Sequence, residues 1–354
     1  MRHLIFASLS VLCYAQEPLR MNQIQFVGSH NSYHAGLSAG EMALLRSKDP
    51  KAADSLAYKH APIEAQLDSG VRQLEIDVYG DTKGGLFADP VFLRLATPST
   101  PMPDGWAEAM KRPGFKVLHA NDVDFRSHCS TFVQCLQIVR TWSKAHPDHL
   151  PIYLQLENKE GRATEGFARA EAITKQTLDD LDAEIRSVFA AGEVVTPDAV
   201  RGKHKTLEEA VLQEGWPKLD RARGKVVFLF DQEKVTPLYT DGHPALEGRM
   251  IFTNAKPGSP DAAFVKVNDP ASKQIPDLVR KGYLVRTMTD GGAEAVRQGV
   301  TARRDLAIAS GAQILSTDYP FDWKAEGSGY SVTLPGKVRC NPVNAPKSCS
   351  ISLR

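Results

Sequence analysis

The sequence predicts an α/β protein whose parallel strands close into a (β/α)8 TIM-type barrel, built as a single domain. Strand-like runs recur at long intervals, and helical patterns fall between many of them. That alternation means a parallel sheet, and about eight repeats over 354 residues favour a closed barrel. A doubly wound dinucleotide-binding fold ranks below it, because no G-x-G-x-x-G follows an early strand.

The strand-like runs are Gln23–Gly28, Val71–Tyr79, Lys116–His119, Ile152–Leu156, Lys225–Asp231, Phe264–Val267, Tyr283–Met288 and Gln313–Thr317. Phe252 sits in a further candidate run, so the order around the sixth strand is open. Among the helices, Ile63–Leu67 is closed by Gly70, and Phe132, Leu136 and Val139 form a stripe at helical spacing. Leu178, Leu181, Ile185 and Val188 form a cleaner one, with Thr177 expected as its N-cap. Leu207–Leu212, Leu278–Val279 before Gly282, and Arg304–Ser310 before Gly311 complete the set. Thr97–Pro103 reads as a long surface loop.

Composition places the chain among ordinary globular proteins: 42% hydrophobic, 24% charged, net charge +1. So small a net charge offers no general attraction for nucleic acid. At the start, Arg2 and His3 precede an apolar run from Leu4 to Leu12, then Ala15. Residues 1–15 therefore read as a signal peptide cut before Gln16, too short to span a bilayer, which takes about 20 apolar residues. Its removal leaves Cys129, Cys135, Cys340 and Cys349, an even set with three pairings open. The sequence-local pairing closes two short loops, each worth roughly 2–3 kcal/mol if unstrained. A secreted or periplasmic protein is expected. The barrel is expected over residues 22–321, and residues 322–354 as a C-terminal extension stapled by its own cysteine pair.

Barrels of this kind carry reactive groups where strands end. The first run ends in FVGSHNSY, with His30 beside Asn31. In LEIDVYGD, Glu75 and Asp77 are two apart and share a face; pointing inward, they need positive charge nearby. VLHAND places His119 at the end of the third run, and IYLQLENK places Glu157 near the end of the fourth. Read singly, each has a bland explanation: turn histidine, barrel histidine, ion-paired carboxylate, solvated strand end. Jointly they supply four oxygen donors, Asn31, Glu75, Asp77 and Glu157, beside two histidines. Three carboxylates without thiolates suit Ca2+, or less well Mg2+.

The segments HNSY, LEIDVYGD, VLHANDVDF and LENK, in that order, resemble the catalytic barrel of phosphoinositide-specific phospholipase C, in its secreted, Ca2+-dependent, single-domain branch. Arg223-Gly224-Lys225 with VVFLFD, and SGAQILSTDYP, extend the resemblance to residue 321. It implies that His30 and His119 are catalytic and that Asn31, Glu75, Asp77 and Glu157 hold Ca2+. It further implies attack by the inositol 2-hydroxyl on the phosphodiester, releasing diacylglycerol and leaving a cyclic phosphate. His30 would be the general acid, His119 would stabilise the phosphorane, and Glu75 would take the hydroxyl proton. No external nucleophile is needed, which agrees with the absence of G-x-S-x-G.

Lys159 and Arg286 are candidates for contact with substrate, and Asp318 and Tyr319 for ring hydroxyls. Asp122 and Asp124 either orient His119 or cap the loop, and the loop reading is preferred. The basic pair that reads ring phosphates in signalling enzymes of the family is not identifiable, so phosphatidylinositol or its glycan-anchored relatives fit best. The substrate is expected at a membrane surface, met transiently by a monomer through loops such as Phe87–Thr100. Two readings compete: a glycerophosphodiester phosphodiesterase or phospholipase-D-like barrel, and a secreted lipid- or carbohydrate-binding barrel without turnover. HNSY in place of a His-Arg-Gly start weighs against the first.

Overall fold

The computed structural model describes residues 18–161 and 164–353; the expected signal peptide lies outside them. Ten strands form one sheet: β1 (Ile24–Ser29), β2 (Gln73–Tyr79), β3 (Lys116–Val117), β4 (Ile152–Lys159), β5 (Val226–Phe230), β6 (Ile251–Phe252), β7 (Phe264–Lys266), β8 (Leu284–Met288), β9 (Ile314–Thr317) and β10 (Val338–Cys340). Eight of them run in the order β6-β5-β4-β2-β1-β9-β8-β7, parallel throughout. A bridge between Asn254 and Phe264 joins the two ends, so the sheet is a nearly closed barrel. Asn254 Oδ1 accepts the Lys266 amide (2.9 Å) at that seam.

Eight is the expected number, reached by a different set. The run at Lys116 is no barrel strand: β3 is two residues long and pairs antiparallel with Val78 and Tyr79 at the end of β2. Its Lys116 is buried, held by Asp81 (3.1 Å) and by the carbonyls of Arg112 and Gly114. The remaining member is β6, the two-residue strand around Phe252, which the sequence offered as a further candidate but which was too short to rank among the eight. One helix cap also moves. Helix Lys175–Val188 is capped by Thr174, whose hydroxyl accepts the Thr177 amide while Thr177 Oγ1 accepts the Thr174 amide. Two threonines three apart offer the same local chemistry, and the one preceding the helical turn prevails.

The barrel interior and its helical coat bury Phe26, Leu74, Ile76, Leu154, Phe228, Phe230, Phe252 and Ile314 in one continuous core. The chain after the barrel returns to it: β10 pairs antiparallel with β1, and Cys340–Cys349 closes the loop behind it. Cys129–Cys135 is the second disulfide, so the local pairing is the one formed.

Close packing is most exacting at β1, which carries the first histidine. Gly28 faces Gln73 of β2, and a Cβ there would lie 2.0 Å from Gln73 Oε1 and 2.7 Å from its Cβ. Such overlap cannot be relieved by rotating the end of the Gln73 side chain. Gly28→Ala is therefore expected to cost about 1–3 kcal/mol, seen as a lower urea midpoint with an unchanged slope. A wild-type midpoint would refute the close approach.

Candidate active site

β1 delivers His30 and Asn31 to the barrel mouth. Asn31 takes a left-handed backbone conformation (φ 47°), which asparagine tolerates better than most residues. Its Nδ2 donates to Tyr58 Oη (2.9 Å), and its Oδ1 receives a long hydrogen bond from Tyr33 Oη (3.4 Å). Ser32 and Tyr33, to which the sequence assigned no role, both buttress the site. Ser32 Oγ accepts the Glu75 amide (2.8 Å), fixing the height of β2 against the turn.

Glu75 and Asp77 share the inner face of β2, and β4 sets Glu157 directly opposite Asp77. One carboxylate oxygen from each of Glu75, Asp77 and Glu157 lies within 4.8 Å of the others. Like charges so placed repel, and the protein supplies cations against them. Glu75 meets Arg286 Nη2 (2.9 Å) and His30 Nε2 (3.6 Å). Lys159 Nζ lies 2.9 Å from Asp77 Oδ2 and 2.8 Å from Glu157 Oε2. Burial pushes Asp77 up to about 7 despite Lys159, and burial also raises Glu75 against the opposing pull of His30 and Arg286.

The two histidines share one arrangement. His30 Nδ1 lies 2.8 Å from Asp318 Oδ1, and His119 Nδ1 lies 3.0 Å from Asp124 Oδ2. A carboxylate on Nδ1 fixes the proton there and leaves Nε2 for chemistry. Burial lowers the His30 pKa, but Glu75 and Asp318 more than offset it and raise it to about 10. His119 is likewise raised: burial opposes protonation, and the Asp124 hydrogen bond and the Asp77 charge prevail.

Asp124 thus corrects its reading as a loop cap. It is buried and receives hydrogen bonds from both His119 and His34 Nε2 (2.9 Å). Asp122 does cap the loop, accepting the amides of Val91 (3.1 Å) and Ala168 (2.7 Å). Asp318 lies against His30 rather than standing free, held by Asp290, which accepts its amide (2.7 Å). Arg286 is buried, with Nη2 also donating to Ser316 Oγ (2.9 Å). Of the residues singled out in the sequence, the structure brings Glu75, Asp77, Glu157, His30, Lys159 and Arg286 into one cluster of carboxylates and cations, with Asn31 on the turn next to His30. His119 enters from the excursion that holds β3, hydrogen-bonded through Asp124 to His34 beside the β1 turn. The signal for His34 was present in HNSYH, and that for Asp124 in VDF, but neither spacing says which carboxylate meets which imidazole.

The donor set fits a hard divalent cation. Neither Asp77 oxygen makes a hydrogen bond although both are buried, which is costly unless positive charge satisfies them. The candidate donors Asn31, Glu75, Asp77 and Glu157 all offer oxygen, and both described disulfides take their cysteines out of play as thiolates.

Fold, site and donor chemistry define a metal-assisted phosphodiesterase barrel, and the comparisons agree. Residues 19–342 match the family of Ca2+-dependent phosphoinositide phospholipase C, and the chain belongs to that family. It is accordingly a Ca2+-dependent phosphoric diester-cleaving enzyme of the phosphatidylinositol-specific phospholipase C type. Its fold is similar to that of a Ca2+-dependent phosphoinositol-specific phospholipase C from a Pseudomonas species. That protein is 17% identical, with 91% of this chain and 95% of that one covered at a TM-score of 0.56. The Ca2+-dependent phosphatidylinositol-specific phospholipase C of Streptomyces antibioticus is 21% identical, with 84% and 94% covered and a TM-score of 0.51. No curated protein sequence matches the chain.

The Asp124 linkage gives a measurable consequence. Burial raises its pKa, but the His119 and His34 hydrogen bonds outweigh this and hold it at about 2. Its folded pKa lies below the unfolded value of about 3.9, so its stabilisation is complete above that value. It is lost as pH falls through about 2, and its size is on the order of 2 kcal/mol. Asp124→Asn should lower the urea midpoint at pH 7, with the deficit shrinking below pH 4. The same variant should lower the His119 pKa by NMR titration; an unchanged His119 pKa would refute the pairing.

Proposed function

We propose that this enzyme cleaves phosphatidylinositol, or its glycan-anchored relatives, by attack of the inositol 2-hydroxyl on phosphorus. The 2-oxygen bonds to phosphorus, the bond to the diacylglycerol oxygen breaks, and inositol cyclic phosphate forms. The observation that carries this reading is the pair of Asp-anchored histidines beside a three-carboxylate oxygen cluster. Asn31, Glu75, Asp77 and Glu157 would hold Ca2+, which when bound lowers the pKa of the attacking hydroxyl and offsets phosphoryl charge.

The chain's own groups divide the remaining work. Glu75 accepts the proton of the 2-hydroxyl. His30, protonated and anchored by Asp318, gives its Nε2 proton to the departing alcohol. His119 Nε2 donates a hydrogen bond to a phosphoryl oxygen, with Asp124 as its positioning residue. Water then opens the cyclic phosphate with the proton transfers of His30 and Glu75 reversed. Arg286 and Lys159 lie where an anionic substrate would approach the carboxylates, which supports roles for both in binding it.

A cleft of about 430 Å3 lined by Met42, Leu56, Tyr58, His60, Tyr319 and Trp323 lies beside the His30 turn. Its apolar lining supports placing the lipid alcohol on the His30 side, where the general acid is needed. No helix among the described residues is long and apolar enough to cross a membrane. The exposed large apolar residues are scattered: Leu95, Leu212, Leu238, Val300 and Leu306. That pattern suits a monomer with transient contact, and Leu95, 58% exposed within Phe87–Thr100, suits the loop expected to make it. Two disulfides favour an oxidising compartment, in keeping with a secreted or periplasmic enzyme.

Phosphorus NMR of the reaction on phosphatidylinositol vesicles should show inositol cyclic phosphate; direct attack by water would give none. His30→Ala and His119→Ala should each lose about 10²–10⁴-fold in turnover while remaining folded. Chelation of Ca2+ should abolish product release. Near-wild-type turnover in either variant would overturn that histidine's role.

A further inference from the structure

Lys159 stands in an unusual place. β4 alternates so that Glu157 and Lys159 share one face, directed with Asp77 toward the barrel mouth. The Lys159 ammonium bridges Asp77 Oδ2 (2.9 Å) and Glu157 Oε2 (2.8 Å), which belong to two of the three carboxylates in the cluster. Among the described residues Lys159 is the one cation within ion-pair distance of Asp77, and Glu157 has one further donor, Gln232 Nε2 on Oε1 (3.2 Å). A divalent cation taking oxygens from these carboxylates would share them with a fixed positive charge about 3 Å away, a repulsion that proteins relieve by moving one charge.

We infer that Lys159 is an intramolecular competitor for Ca2+, which must leave Asp77 and Glu157 when the ion binds and so sets the ion's affinity. This inference rests on the Ca2+-site reading above. The side chain has somewhere to go: it is 20% exposed at the end of its strand, so its ammonium can return to water while its stem stays packed. The arrangement has a double effect. Without the ion, Lys159 keeps paired carboxylates from destabilising the barrel mouth; with it, every Ca2+ bound carries the cost of releasing the lysine. A switch of this kind couples the occupancy of the site to the position of a cation at the substrate entrance.

Two measurements on the full-length protein test it. The first is calorimetric Ca2+ titration of wild type, Lys159→Met and Lys159→Gln. Removing the competitor should tighten Ca2+ binding roughly ten- to a hundredfold, the size of an ordinary coupling between two ligands. The second needs no variant: acetylation of Lys159 by acetic anhydride, followed by peptide mass spectrometry, should quicken severalfold when Ca2+ is added. Both changes together support the inference. Tighter binding without a change in Lys159 reactivity would mean that the lysine only repels the ion from a distance, which overturns displacement. Higher reactivity with unchanged affinity would overturn competition. Either of those results leaves the Ca2+ site standing. If wild type and both variants bind no Ca2+, and Asp77→Asn alters nothing in the titration, the site reading fails and the inference with it. Should neither Lys159 variant fold, unchanged wild-type reactivity in the presence of bound Ca2+ is enough to overturn it.

Discussion

The structure turns on the concentration of negative charge at one point of the barrel mouth. Parallel pairing of β2 and β4 sets Asp77 beside Glu157 in register, and alternation adds Glu75 on the same face. An all-apolar barrel would be cheaper to fold, because three carboxylates out of water demand compensation. The compensation is spatially divided. Arg286 and His30 serve Glu75 on one side, and Lys159 serves Asp77 and Glu157 on the other. Among the described residues only one of these three cations reaches Asp77, whose oxygens lack hydrogen bonds, so the cluster is neutralised unevenly. A divalent cation held by these carboxylates, as proposed above, would even out that balance.

The histidines show the same economy of construction at a second level. Each presents Nε2 because a buried or half-buried aspartate claims Nδ1. The two aspartates come from opposite ends of the chain: Asp124 from the excursion after β2, Asp318 from the turn after β9. Behind Asp318, Asp290 accepts from its amide, from Thr317 Oγ1 and from Tyr330 Oη, so the chain beyond the last barrel strand helps hold His30 in place. β10 reinforces β1 itself by antiparallel pairing. The tail is therefore physically continuous with the site's support, even though its composition reads as an appendage.

Such connections explain what the sequence could and could not disclose. Periodicity and turn residues located seven of the eight barrel strands, because each leaves a run long enough to see. The exception, β6, is two residues whose strand character exists only through its neighbour Phe228–Leu229. Lys116–His119 misled for the converse reason: its apolar–polar pattern is that of a strand, and it does pair, but antiparallel and outside the barrel. That His30, Glu75, Asp77 and Glu157 come together at one end of the barrel was legible because they lie in strand runs or directly after them. The pairings of Asp124 with His119 and His34, and of Asp318 with His30, were not decided by the sequence, since each joins separate parts of the chain. Tertiary pairing of that sort leaves no spacing signal.

Lys159 marks the boundary between the two kinds of information. In sequence, LENK is a charged strand end, and the lysine's nearness to Glu157 is an ordinary i, i+2 relation. Only the β2–β4 register makes that relation consequential, by placing Asp77 across from Glu157 and so presenting two carboxylates to one ammonium. A shift of one residue would turn Lys159 and Glu157 to the opposite face, away from Asp77. Cation affinity, charge balance and strand register are thus one constraint expressed at three scales. The chemistry of the site cannot be altered at Lys159 without altering the electrostatic reason that β2 and β4 tolerate one another.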